Sequence, residues 1–135
     1  METGSVRRLV SAGIALAFLA SPLRSFAHHS FSAEFDVSRP VEITGTVTDI
    51  EWTNPHTWVH LETVDDDGNR QSWAVELLGI NALVRSGMTP RAVKSGDKLT
   101  VTGFGARNGS NTANASSVTR TDTGERLWTS AREQN

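Results

Sequence analysis

Four histidines stand in two clusters, His28-His29 and the pair His56 and His60 inside Asn54-Pro55-His56-Thr57-Trp58-Val59-His60. A chain cut after Ala27 would begin His28-His29-Ser30-Phe31, a terminus with chelating groups. A free α-amine has a pKa near about 8 and an imidazole one near about 6.5, so both can be deprotonated by a borderline-soft metal at neutral pH. The amine and a ring nitrogen of His28 would form one chelate, with a third nitrogen supplied by another histidine. Copper(II) suits such a donor set best, because it favours tetragonal nitrogen ligands and tops the divalent affinity order; zinc comes second. A competing local arrangement uses the amine, the intervening amide nitrogen and His29, and needs no tertiary fold. Both arrangements are compatible with the sequence.

Pro55 and the β-branched alternation around His56 and His60 point to a strand, not a helix. Four residues of strand span about 13 Å, so at most one of this pair is expected to join a given ion. Either would need the N-terminal arm folded back onto it, with Glu62 and Glu76 as oxygen donors or as partners that orient the ring. Trp58 shares their face and supports an alternative, a metal-free module binding an envelope polymer or small ligand. In that reading Trp58 is a stacking platform, helped by Arg107, Asn108 and Asn111 of a glycine- and asparagine-rich loop.

The cut after Ala27 is expected from what precedes it. Arg7 and Arg8 lead into the apolar run Leu9 to Ala20, and Ser25 and Ala27 are small residues at −3 and −1, the layout of a cleaved export signal. Residues 1–27 are therefore read as a signal peptide and the product as periplasmic or secreted, without a membrane anchor once cleaved. The sequence has no cysteine, hence no disulfide framework and no lipid attachment through one. Without residues 1–27, which carry Arg7, Arg8, Arg24 and Glu2, 10 basic and 14 acidic residues remain, a net charge of −4. A nucleic-acid partner would need a basic stripe, which this balance does not offer. No nucleophile elbow, phosphate-cradling loop or cysteine nucleophile appears, so a binding protein is expected rather than an enzyme.

The elements that must position these side chains are mostly strands. Residues 28–40 read as a polar arm with Phe31 and Phe35 as anchors, ending at Arg39-Pro40. In the first strand Val41, Ile43 and Val47 alternate with polar residues, then the apolar phase jumps to Ile50 and Trp52. One extra residue near Thr48 or Asp49 restores it, which predicts a bulge and a bend. A second strand, His56 to Val64, and a third, Gln71 to Leu77, flank the turn Asp65-Asp66-Asp67-Gly68-Asn69. Pairing Val64 with Arg70 sets Leu61 by Trp73 and Val59 by Val75 on one face, and His60 by Ala74, Trp58 by Glu76 and Glu62 by Ser72 on the other. Asn81 is a candidate cap for a short helix, Ala82 to Ser86, ended by Gly87. Strands over Lys98 to Phe104, Ala113 to Arg120 and Arg126 to Trp128 complete the chain.

This order predicts a mainly β fold, a small five- to six-stranded Greek-key barrel of the OB type with one short helix between strands three and four. A β-sandwich is the alternative closure. The expected division is 1–27 signal peptide, 28–40 arm, 41–128 barrel and 129–135 tail.

Taken together, His28-His29-Ser30-Phe31, Ala33-Glu34-Phe35-Asp36, Gly45-Thr46-Val47, Glu51-Trp52-Thr53-Asn54-Pro55-His56 and Gly109-Ser110-Asn111-Thr112-Ala113-Asn114-Ala115 resemble a family of small exported bacterial proteins known only as a domain of unknown function. The resemblance spans most of residues 28 to 120. It implies a bacterial, periplasmic protein with a small β-barrel-like domain, and it implies no activity.

Overall fold

Alternating apolar residues draw the chain into one six-stranded sheet that curls back on itself. A computed structural model describes residues 31–130; the segment 1–27 expected to be a signal peptide, His28, His29 and the chain after Ser130 lie outside the described residues. After a single helical turn, α1 (Phe31–Glu34), come β1 (Phe35–Glu51), β2 (His56–Val64), β3 (Arg70–Leu78), α2 (Ile80–Arg85), β4 (Lys98–Ala106), β5 (Thr112–Arg120) and β6 (Arg126–Thr129). Neighbours run β3-β2-β1-β4-β5-β6 and are antiparallel. A short parallel pairing of β3 with β5, over Ala74–Glu76 and Thr112–Asn114, joins the β3 edge to the first half of β5, whose second half pairs with β6. The result is the expected mainly β Greek-key barrel of OB type, closed only partially at this seam, with α2 in the β3–β4 crossover.

The β2–β3 register follows the hydrophobic pattern. Val64 faces Arg70, Leu61 faces Trp73, Val59 faces Val75, His60 faces Ala74 and Trp58 faces Glu76. A slip by one residue would have turned Val59 and Leu61 out to water, at about 1.5–3 kcal/mol for each side chain. The β1–β2 pairing shifts between Val47 and Asp49, leaving Thr48 as the extra residue of a bulge, so the phase jump in the sequence marks a real bend. Inward residues Val47, Val59, Leu61, Val75, Leu77, Leu99, Val101 and Val118 fill the barrel, and Leu83 of α2 plugs one end.

Two boundaries differ from the sequence reading. The segment taken as an arm up to Pro40 is already strand from Phe35, which is buried and pairs with Ala106. Pro40 is a poor helix residue but no obstacle here, because the β1–β4 register is irregular between Phe35 and Pro40 and accommodates it. The short helix starts at Ile80 with Gly79 as its N-cap and no side-chain cap, so Asn81 does not cap it. The reason lies in packing. A Cβ at Gly79 would collide with Asn54 and Pro55, while the Ile80 amide donates to the Thr53 carbonyl at 3.0 Å. Contact with the 53–55 segment fixes where the helix begins.

Candidate functional site

The segment Thr53-Asn54-Pro55 both clamps α2 and launches β2. Thr53 Oγ1 donates to the His56 carbonyl at 2.6 Å, and the Asn81 amide reaches Asn54 Oδ1 at 3.5 Å. His56 is thus held at the first position of β2, where the strand brings its ring toward β3. There Nδ1 lies 2.8 Å from Glu76 Oε1. A carboxylate oxygen at that distance places a hydrogen on Nδ1, so that in the neutral form of the ring the lone pair is on Nε2.

Glu76 was expected on the open outer face, and it does point away from the core. Yet it is buried, at 6% exposure. The β3–β5 pairing sets Asn114 beside it, and the Asn114 side chain hydrogen-bonds the carboxyl group. Burial pushes the Glu76 pKa up; the His56 charge and the Asn114 hydrogen bond oppose that shift, and the nearby Glu34 charge adds to it. Glu34 belongs to α1, so the N-terminal turn lies over the wall carrying Glu76. Phe31, at the start of that turn, lines the same cleft as His56 and stacks edge-on against Phe104, with centroids 5.9 Å apart.

Arg107 pins this turn. Its Nε donates to the Ser32 carbonyl at 2.6 Å and its backbone N–H to the Glu34 carbonyl at 2.9 Å, and Nη1 lies 3.7 Å from Asp36 Oδ2. Arg107 and Asn108 nevertheless line one hollow of about 300 Å³ with Trp58, as the alternative reading requires. Asn111 is not part of it. That residue lines a separate hollow of about 430 Å³ with His60, Asp49 and Trp73.

The remaining candidates stand apart from His56. His60 Nε2 lies 2.7 Å from Glu51 Oε1 on β1, and Glu62 is engaged by Arg70 across the hairpin at 2.7 Å. Among the described residues no group of three or more His, Asp or Glu forms a metal-ligand set. His56 with Glu76 offers one oriented nitrogen, and further donors would have to come from His28 and His29, which lie outside the described residues. Sequence reasoning overlooked Asn114 and Glu51 as partners. Glu51 could have been found from the predicted bulge, which puts it two residues beyond Asp49 on the His60 side. Asn114 depends on barrel closure, for which no local signal exists.

No curated protein gives a significant match to the chain. Residues 15–115 match a family of unknown function (DUF6152), a span that includes the Phe31 turn, His56, Glu76 and Asn114, and the chain belongs to that family.

Proposed function

We propose that this is an exported periplasmic binding protein that holds a divalent metal, copper before zinc, between its mature N-terminus and His56. The observation that carries the reading is the His56–Glu76 pair. A carboxylate on Nδ1 fixes the tautomer and directs Nε2 outward, the arrangement by which proteins orient histidine ligands. Phe31 lies against the same cleft, and His28 is three residues upstream, within about 10 Å of extended chain. The α-amine and ring of His28 therefore have the reach to complete the donor set around His56 Nε2. His60 is the lesser candidate, since it lines a different hollow and Glu51 takes its Nε2.

Mass spectrometry of the exported protein should give His28 as first residue. Adding one alanine before His28 should then weaken copper binding by at least about tenfold in a competition titration. A different first residue, or unchanged affinity, would defeat the proposal.

A second reading draws on the hollow shared by Trp58, Arg107 and Asn108, which fits one ring of an envelope polymer or another small flat ligand. Tryptophan fluorescence against a glycan panel tests it. Loss of every binding curve in Trp58→Ala is expected, and unaltered curves would remove the platform.

A further inference from the structure

Beside His56 opens a cleft of about 500 Å³, of which the metal reading uses only the His56 rim. Most of its wall is apolar, from the rings of Phe31, Phe104 and Trp128 with Leu77 and Leu78, while Asn114 and the hydroxyl residues Ser86, Ser116, Thr129 and Ser130 also line it. The volume falls within the range of small-molecule sites, and the lining combines several rings with polar groups, as such sites do. Phe31 meets Phe104 edge-on at 85° and packs on Phe35 at 5.6 Å, so an aromatic ligand here would join an existing ring cluster.

Charge narrows the class of ligand. Among the described residues neither lysine nor arginine lines the cleft, and the buried Glu76 carboxyl stands directly behind His56. An anion would gain no counter-charge here and would face the Glu76 carboxylate. Among the polar groups of the lining, the half-exposed His56 ring turns Nδ1 to Glu76 and in its neutral form offers Nε2 as an acceptor. A neutral ring carrying a hydroxyl hydrogen complements both parts.

We propose that this cleft binds neutral phenol-class molecules, with the ring packed among Phe31, Phe104 and Leu77 and the hydroxyl donating to His56 Nε2. The interaction needs no metal, so it can be tested with chelator present, and copper binding can fail without affecting the result. The purified protein, isotope-labelled, is titrated with p-cresol and with toluene while its amide and indole NMR signals are followed. Saturable shifts at Leu77, Leu78, Phe104 and the Trp128 indole are expected, with p-cresol favoured over toluene by about fivefold. His56→Ala should abolish that preference while toluene still binds, and Phe104→Ala should weaken both ligands together.

Equal affinity for the two probes in the unaltered protein would overturn the proposal, as would the absence of saturable shifts. So would a cleft already filled. Contacts from residues 28–30 to Phe104 or Leu77 in the ligand-free protein would mean that the chain occupies its own cleft. Concentration-dependent shifts of the same signals without ligand would mean that a second copy does.

Discussion

Strand β2 carries two histidine–glutamate pairs of nearly equal length on one face, and they differ in everything except length. His56 and Glu76 meet at 2.8 Å with the carboxylate side chain 7% exposed; His60 and Glu51 meet at 2.7 Å with the carboxylate 54% exposed. The first carboxylate is fixed by Asn114 and has lost most of its water, so its hold on the imidazole is strong in direction and hard to exchange. The second trades its partner freely for solvent, and an exposed pair of that kind contributes about 0–1 kcal/mol at most. Distance alone would rank the two as equals. Burial of the acceptor makes one of them an oriented ligand.

Copper affinity should separate the pairs most widely. His56→Ala is expected to lower it about a hundredfold, and His60→Ala less than about twofold, in the same competition titration. Glu76→Gln, which keeps the shape but removes the charge behind the ring, should lower affinity about tenfold, and Glu51→Gln should leave it unchanged. Equal losses for the two histidines would break the distinction outright.

A third carboxylate sharpens it further. Asp97 is about as enclosed as Glu76, its side chain 11% exposed, but it is ringed by donors. Lys94 Nζ lies 2.9 Å from Oδ1, the Lys94 amide 3.0 Å from Oδ2, and Arg120 Nη1 3.2 Å from Oδ2. The side-chain and backbone hydrogen bonds from Lys94, with that from Arg120, hold its pKa down at about 2, against an ordinary 3.8. Because the folded pKa is depressed, Asp97 contributes stability above pH 3.8 that is lost as the pH falls through about 2. Asp97→Asn should cost about 2 kcal/mol at neutral pH, and the difference from the unaltered protein should vanish in strong acid, as chemical denaturation at several pH values would show.

Glu76 has the opposite sign. Its folded pKa is raised, so its contribution is present below an ordinary value of 4.5 and lost as the pH rises through the folded pKa. Glu76→Gln should therefore gain on the unaltered protein between pH 4.5 and neutrality. Parallel pH profiles for the Asp97 and Glu76 variants would mean that the two sites do not differ in the way their partners imply.

The sequence makes the β2–β3 ladder legible because period-two alternation in Val59, Leu61, Trp73, Val75 and Leu77 admits one register about the Asp65–Asn69 turn, and the observed pairs are those. The bulge is legible for the same reason, since an apolar phase jump between Val47 and Ile50 has few other causes. Outward placement of His56, Trp58 and Glu76 follows from that ladder. Their unequal burial does not. It comes from two long-range events, the parallel β3–β5 closure that brings up Asn114 and the docking of α1 through Arg107, and neither leaves a periodic trace. The strand start at Phe35 was hidden by Pro40, whose aversion to helix says nothing against an irregular strand.

The smallest expected effect tests the weak member of the comparison. Glu51 is exposed, and its link to His60 spans adjacent strands that are already joined by backbone pairing on either side of the bulge. Removing the charge leaves an imidazole that water can satisfy, with no buried group stranded. Glu51→Gln should therefore change unfolding stability at neutral pH by less than about 0.5 kcal/mol, within reach of urea titrations done side by side. A loss of several times that size would mean that the His60 pair is structurally committed in spite of its exposure, and that solvent access to the carboxylate is the wrong variable for ranking the two histidines.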